Sequence, residues 1–134
     1  MILVDTGPLV ALLDRSDPHH GDCLKAAAGL PANLSTIWPV LTEAQYLLSD
    51  LPAAQDGLWK LLLSGRLGIA ALDATDLPRI EALLRKYRDL PLDLADAALV
   101  RVAERERIER IFTLDRRHFS IVRPQHRRSF DLVP

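Results

Sequence analysis

Cysteine is all but missing from this chain of 134 residues, with Cys23 standing alone. A single thiol excludes an intrachain disulfide and a thiolate zinc site. That fits a cytoplasmic protein. Aromatic residues are scarce too, 5 % of the chain against 49 % hydrophobic residues overall, so the core must be built from Leu, Ala, Val and Ile. No apolar run approaches the ~20 residues of a membrane-spanning helix. The N-terminus lacks the basic stretch and long apolar run of a secretory leader, so no membrane segment is expected. Walker loops and GxGxxG are absent, and no defensible Ser-His-Asp arrangement exists. Charge of one sign is missing as well: the net value is −1, which leaves no global field to draw nucleic acid.

What is present begins with length. One domain over residues 1–134 is expected, large enough to bury roughly two-thirds of its unfolded surface. Charge is unevenly spread. Arg116, Arg117, His118, Arg123, His126, Arg127 and Arg128 form a stretch with no acid among them. Such a strip can follow a phosphate backbone, or it can be an ordinary solvated surface.

Short apolar runs alternate with helical spacing. Ile2-Leu3-Val4 reads as a buried strand that stops at Asp5-Thr6-Gly7-Pro8. Leu9 to Leu13 reads as a short helix with Thr6 as its N-cap. Helices are expected over His19–Gly29, Pro39–Ser49, Ala53–Ser64, Leu77–Arg88 and Leu94–Arg105. The last is apolar nearly all round and should be central. Strands are expected at Leu34–Thr36, Leu67–Leu72, Arg110–Leu114 and Phe130–Val133. This alternation is the signature of an α/β fold, a short parallel sheet flanked by helices.

Four acids should converge in such a fold. Asp5 and Asp115 each end a strand, and ligands of open α/β sheets gather beyond the strands' carboxyl ends. Glu43 lies one turn into the helix opened by Pro39, and Asp93 and Asp96 lie in the first turn of the apolar helix. Two unit charges ~4 Å apart repel by about 4 kcal/mol at an effective dielectric near 20. Protons could relieve this by raising pKa values. A hard divalent cation does so better, and oxygen-only ligands select Mg²⁺ or Mn²⁺ over zinc. Two such ions ~3.5–4 Å apart would suit phosphodiester hydrolysis. Duller roles exist for each acid. Asp93 is a good N-cap and Asp96 could complete a capping-box-like pair. Asp5 and Asp115 could start turns, and Glu43 could be a surface helix residue. Against this, Leu94, Ala95, Ala97 and Ala98 surround Asp96, a setting where an unpartnered carboxylate is costly.

Other readings fit less well. Asp5-Thr6-Gly7 spells the aspartic-protease tripeptide, but that chemistry needs two such aspartates and a mostly β fold. A phosphoacceptor receiver domain uses a Lys at a late strand end, and the only lysines are Lys25, Lys60 and Lys86. His19 and His20 are adjacent and do not face one another on a helix, which makes joint ligation awkward.

The segment 2–12, the segment Pro39-Val40-Leu41-Thr42-Glu43-Ala44, the segment 92–100 and Thr113-Leu114-Asp115-Arg116-Arg117-His118-Phe119 together resemble PIN-domain proteins, and among them the VapC-type toxins of bacterial toxin–antitoxin pairs. The resemblance covers the whole chain. It implies a three-layer α/β fold and an Mg²⁺- or Mn²⁺-dependent ribonuclease, with the catalytic quartet on Asp5, Glu43, Asp96 and Asp115. Asp93 resembles a further acid beside that quartet, and Thr113 a hydroxyl near it. Homodimers are implied, as is inhibition by a small cognate antitoxin whose tail covers the active site.

The reading carried forward is a metal-dependent endoribonuclease acting on RNA. Asp5, Asp96 and Asp115 hold metal, Glu43 ligates through water or orients the attacking one, and Thr6 and Thr113 steady carboxylates by hydrogen bonds. Arg15, Arg116 and Arg117 are candidates for gripping phosphate. Two alternatives stand beside it. One is a PIN-fold RNA-processing nuclease without a toxin role. The other is a non-catalytic module whose acidic pocket docks a basic partner.

Overall fold

The computed structural model describes residues 1–31 and 33–134. Five parallel strands form one sheet in the order β3-β2-β1-β4-β5. The strands are β1 (Ile2–Val4), β2 (Leu34–Thr36), β3 (Leu67–Ile69), β4 (Arg110–Phe112) and β5 (Asp131–Val133). Among the described residues, seven helices flank them: α1 (Thr6–Leu13), α2 (His20–Ala28), α3 (Trp38–Leu47), α4 (Pro52–Leu63), α5 (Leu77–Lys86), α6 (Leu94–Glu106) and α7 (Arg116–Ile121). None of these helices is long and apolar enough to cross a membrane. The strands are shorter than the apolar runs suggested: β3 ends at Ile69 and β4 at Phe112.

All three residues of β1 are buried, as expected for a central strand covered on both faces. Leu3, Val4, Ile111, Phe112, Leu99 and Val100 lie at the heart of the core. α6 is the central helix its composition predicts, buried from Ala95 to Val100 and again from Val102 to Glu104. The few aromatics differ in burial, with Tyr87 half-buried. Phe112, Phe119 and Phe130 are buried, whereas Trp38, Tyr46 and Trp59 are exposed.

Register decides what meets at the sheet's carboxyl edge. β1 pairs with β4 so that Val4 lies beside Phe112, and the Asp5 N–H donates to the Phe112 carbonyl at 2.9 Å. The next residues along, Asp5 and Thr113, are therefore neighbours. From β1 the chain moves outward to β2 and β3, and from β3 it returns across the sheet to β4. The carboxyl ends of β1 and β4 thus flank the point where strand order reverses, the usual ligand crevice of an open α/β sheet.

Two caps differ from expectation. α1 begins at Thr6, and its N-cap is Asp5, whose side chain accepts from the Thr6 N–H at 2.8 Å. The reading of Thr6 as the cap is thus displaced by one residue, because Asp5 has the extended backbone a cap requires. α7 was not foreseen. It has only six residues, too few to show a periodicity, and Asp115 caps it by accepting from the His118 N–H at 3.0 Å.

A buried ion network ties α6 to the turn Ala74–Asp76 that precedes α5. Arg101 Nε donates to Asp76 Oδ1 and Arg105 Nη1 to Asp76 Oδ2, each at 2.7 Å. Arg79 forms a two-pronged pair with Glu104, both bonds 2.8 Å. This network holds the C-terminal half of α6 and leaves its N-terminal turn facing the crevice.

Candidate metal centre

A hollow of about 460 Å³ opens at the carboxyl ends of β1 and β4. Five carboxylates line it, those of Asp5, Glu43, Asp93, Asp96 and Asp115, together with Thr6 and His118; no Lys or Arg does. The expected quartet is brought together. Asp5 comes from the end of β1, Asp96 from the first turn of α6, Asp115 from the cap of α7 and Glu43 from the second turn of α3.

Burial within the group is uneven. Asp5 and Asp96 are 8 % and 7 % exposed, whereas Glu43 stands open at the rim. Thr113 Oγ1 donates to Asp5 Oδ2 at 2.8 Å and accepts from the Asp115 N–H at 2.9 Å, so one hydroxyl ties both strand-end aspartates. Thr6 assists through its backbone N–H and not through its hydroxyl, because Thr6 Oγ1 is buried without a hydrogen-bond partner. Asp93 is the N-cap of α6 and accepts from the Asp96 N–H at 2.8 Å.

Electrostatics follow from this crowding. Burial pushes the Asp5 carboxyl up to about 6, with hydrogen bonds from Thr113 and Thr6 opposing and the charges of Asp93 and Asp115 adding to the rise. Burial, then the charge of Asp5, then that of Asp93, push Asp96 to about 8. Burial and the mutual repulsion of neighbouring carboxylates thus hold both groups away from their charged form. The donor set is oxygen-rich, negatively charged and includes an orphaned buried hydroxyl. It fits a hard divalent cation.

His118 lies in this hollow, and the sequence reading missed it by counting it among the basic residues. The signal was available: it lies three positions after Asp115, one turn of a helix that Asp115 caps. Its Nδ1 is 2.6 Å from Asp115 Oδ2 and 3.9 Å from Asp96 Oδ2.

The arginines proposed to grip phosphate do not line the hollow. Arg116 and Arg117 are exposed on α7 beside Asp115, and Arg116 Nη1 donates to the Pro134 carbonyl. Arg15 lies beyond the far end of α1, in a separate hollow of about 850 Å³ lined also by Leu12, Leu24 and Leu51. The basic strip is less basic in space than along the chain. Arg127 pairs with Glu109 at 3.1 Å and Asp131 at 3.6 Å, acids that flank the strip in sequence and reach it through β4 and β5.

Residues 2–123 match the family model described as PIN domain. Ribonuclease VapC26 of Mycobacterium tuberculosis (strain ATCC 25618 / H37Rv) is 31% identical over 139 residues, spanning 99% of this chain and 100% of that protein. Among solved structures, Mycobacterium tuberculosis VapC20, described as a sarcin-ricin loop cleaving toxin, superposes with a TM-score of 0.79 at 22% identity, covering 87% of this chain and 92% of that one. A toxin–antitoxin complex from Klebsiella pneumoniae gives a TM-score of 0.73 at 19% identity, covering 100% of this chain and 97% of its own. These two likenesses concern the fold. With its five parallel strands and its acids at the strand ends, the chain belongs to the PIN-domain family, among the VapC-type members.

Proposed function

We propose that this protein is a metal-dependent endoribonuclease, the toxin of a type II toxin–antitoxin pair, hydrolysing RNA phosphodiester bonds at an Mg²⁺ or Mn²⁺ site. The observation that carries the proposal is the convergence of five carboxylates, with Asp5 and Asp96 buried, on a hollow lined by no Lys or Arg. Family membership and the ribonuclease name of the relative that spans the whole chain support it.

Asp5, Asp96 and Asp115 are the residues that would hold the ion. When bound, a divalent cation there supplies charge neutralisation, a more acidic water and stabilisation of the leaving oxygen. Glu43, exposed at the rim, would accept a proton from the attacking water or orient it. Thr113 holds the Asp5 side chain and the Asp115 backbone through its two hydrogen bonds. Asp93 caps the start of α6 and adds negative charge to the hollow. Arg116 and Arg117, exposed on α7 next to Asp115 in the chain, and Arg15 further off, are assigned to the RNA phosphates.

RNA is the substrate class, and a small cognate antitoxin is the expected partner, a role supported by the pairing in the Klebsiella pneumoniae complex. A homodimer of single-domain chains in the cytoplasm completes the proposal. The test is cleavage of RNA by purified Asp96→Asn protein with Mn²⁺. The rate should fall roughly 100-fold or more, the scale on which losing a transition-state charge partner acts. A folded variant that cuts as fast as the wild type refutes the role of Asp96. Asp5→Ala should abolish Mn²⁺ binding by calorimetry.

A further inference from the structure

His118 is held against two of the proposed metal ligands by the geometry of α7. Asp115 Oδ1 caps the helix through the His118 N–H at 3.0 Å, and this folds the imidazole back over the same carboxylate. Nδ1 comes within 2.6 Å of Asp115 Oδ2. Yet Nδ1 is buried and has no hydrogen-bond partner, so the approach is not that of an N–H aimed at an acceptor. One ligand atom from each of Asp96, Asp115 and His118 fits within a span of 4.8 Å. Close approach without mutual aim is what two atoms show when both point at a third. Adjacent ligands of an octahedral ion with bonds of about 2.0–2.1 Å lie roughly 3 Å apart.

We infer that His118 ligates the metal through Nδ1 beside Asp96 and Asp115, so that the centre is a mixed nitrogen–oxygen site. The inference rests on the metal-dependent reading above and adds to it a further ligand and a metal preference. The ring then carries its proton on Nε2 and offers the Nδ1 lone pair. Carboxylate oxygens alone favour Mg²⁺, whereas imidazole strengthens binding of later transition metals, in the order Mn²⁺ below Co²⁺. His118 thereby tilts the site towards Mn²⁺ and Co²⁺.

Calorimetric titration of wild-type, His118→Gln and His118→Ala proteins with Mg²⁺ and Co²⁺ tests the preference, and pulsed EPR of the Mn²⁺-loaded wild type tests the bond. Co²⁺ affinity should fall roughly tenfold or more in both variants while Mg²⁺ affinity stays within about threefold, as removal of a nitrogen ligand demands. Electron-spin-echo modulation from ¹⁴N should be present in the wild type and absent from both variants. Wild-type protein that binds Mn²⁺ without ¹⁴N modulation overturns the inference and leaves the metal centre standing. Equal weakening of Mg²⁺ and Co²⁺ also overturns it, and marks His118 as a prop for Asp115. Wild-type protein that binds neither ion removes the metal centre itself. The EPR arm needs no variant, so a substitution that fails to fold does not obscure the answer.

Discussion

Two buried aspartates border α6, and their surroundings are opposite. Asp76 is fully buried, with Arg101 and Arg105 on its two oxygens and the Asp73 N–H on one of them. Burial pulls its carboxyl up, but hydrogen bonds from Arg101, the Asp73 N–H and Arg105 outweigh it and hold the group below its ordinary value. Asp96 is nearly as buried, has no guanidinium, and faces Asp5 and Asp93; its carboxyl rises to about 8. The residue type is the same and the helix is shared. What differs is whether the protein itself supplies the countercharge. Where it does, the carboxylate is a clamp between α6 and the turn before α5. Where it does not, the charge is left for something from solution, which is the condition for a cation site.

The largest expected effect tests the clamp. Asp76→Asn should destabilise the protein by about 3 kcal/mol, measured by urea unfolding, because two guanidinium groups lose their partner. Both arginines keep some solvent contact, which holds the loss towards the low end of that class. A loss below about 1 kcal/mol would break the comparison by making the pairs incidental. Asp96→Asn should act in the opposite direction. In metal-free protein at pH 9 it should stabilise by about 1–2 kcal/mol in the same assay, since it removes an unpaired buried charge and keeps the shape.

Stability against pH sharpens the contrast further. Asp5 and Asp96 rise from 3.8 to about 6 and about 8 on folding. The folded state therefore holds protons that the unfolded state releases. Their contribution is complete below 3.8 and is lost as pH rises through 6 and then 8. Asp76 is lowered, so its contribution is present above 3.8 and is lost as pH falls through its folded value. The melting temperature in EDTA should fall between pH 6 and pH 9, and saturating Mn²⁺ should remove most of that fall by binding the folded state. A flat profile in EDTA would mean that the carboxyls titrate normally.

The smallest effect lies at the far end of α6. Arg107 closes that helix in the left-handed region with φ 56°. Arg107→Gly should stabilise by about 0.5 kcal/mol in urea unfolding, with RNA cleavage unchanged, since glycine adopts this conformation without a Cβ clash.

How much could be read beforehand depends on the range of the interaction involved. β1, β4 and the buried nature of α6 were legible because each rests on a local apolar run. Asp5 and Asp115 were legible because strand ends gather ligands, and Asp93 because capping is local. Glu43 came into view through family resemblance, since a single acid on a helix gives no signal of what it faces. α7 escaped because six residues carry less than two turns, and His118 escaped with it. The Asp76 network was invisible for another reason: its partners lie 25 and 29 residues along the chain.

By itself the sequence determined the α/β class, the aliphatic core, the edge at which the acids collect and the chemistry they can support. Apolar periodicity and residue type act over a few positions, and they suffice for those conclusions. Tertiary structure alone decided which carboxylates share a hollow, which receive an arginine and which imidazole stands among them. These are matters of distance and solvent exclusion between segments far apart in the chain. A buried charge takes its energy from what lies within a few ångströms of it, whatever its neighbours in sequence.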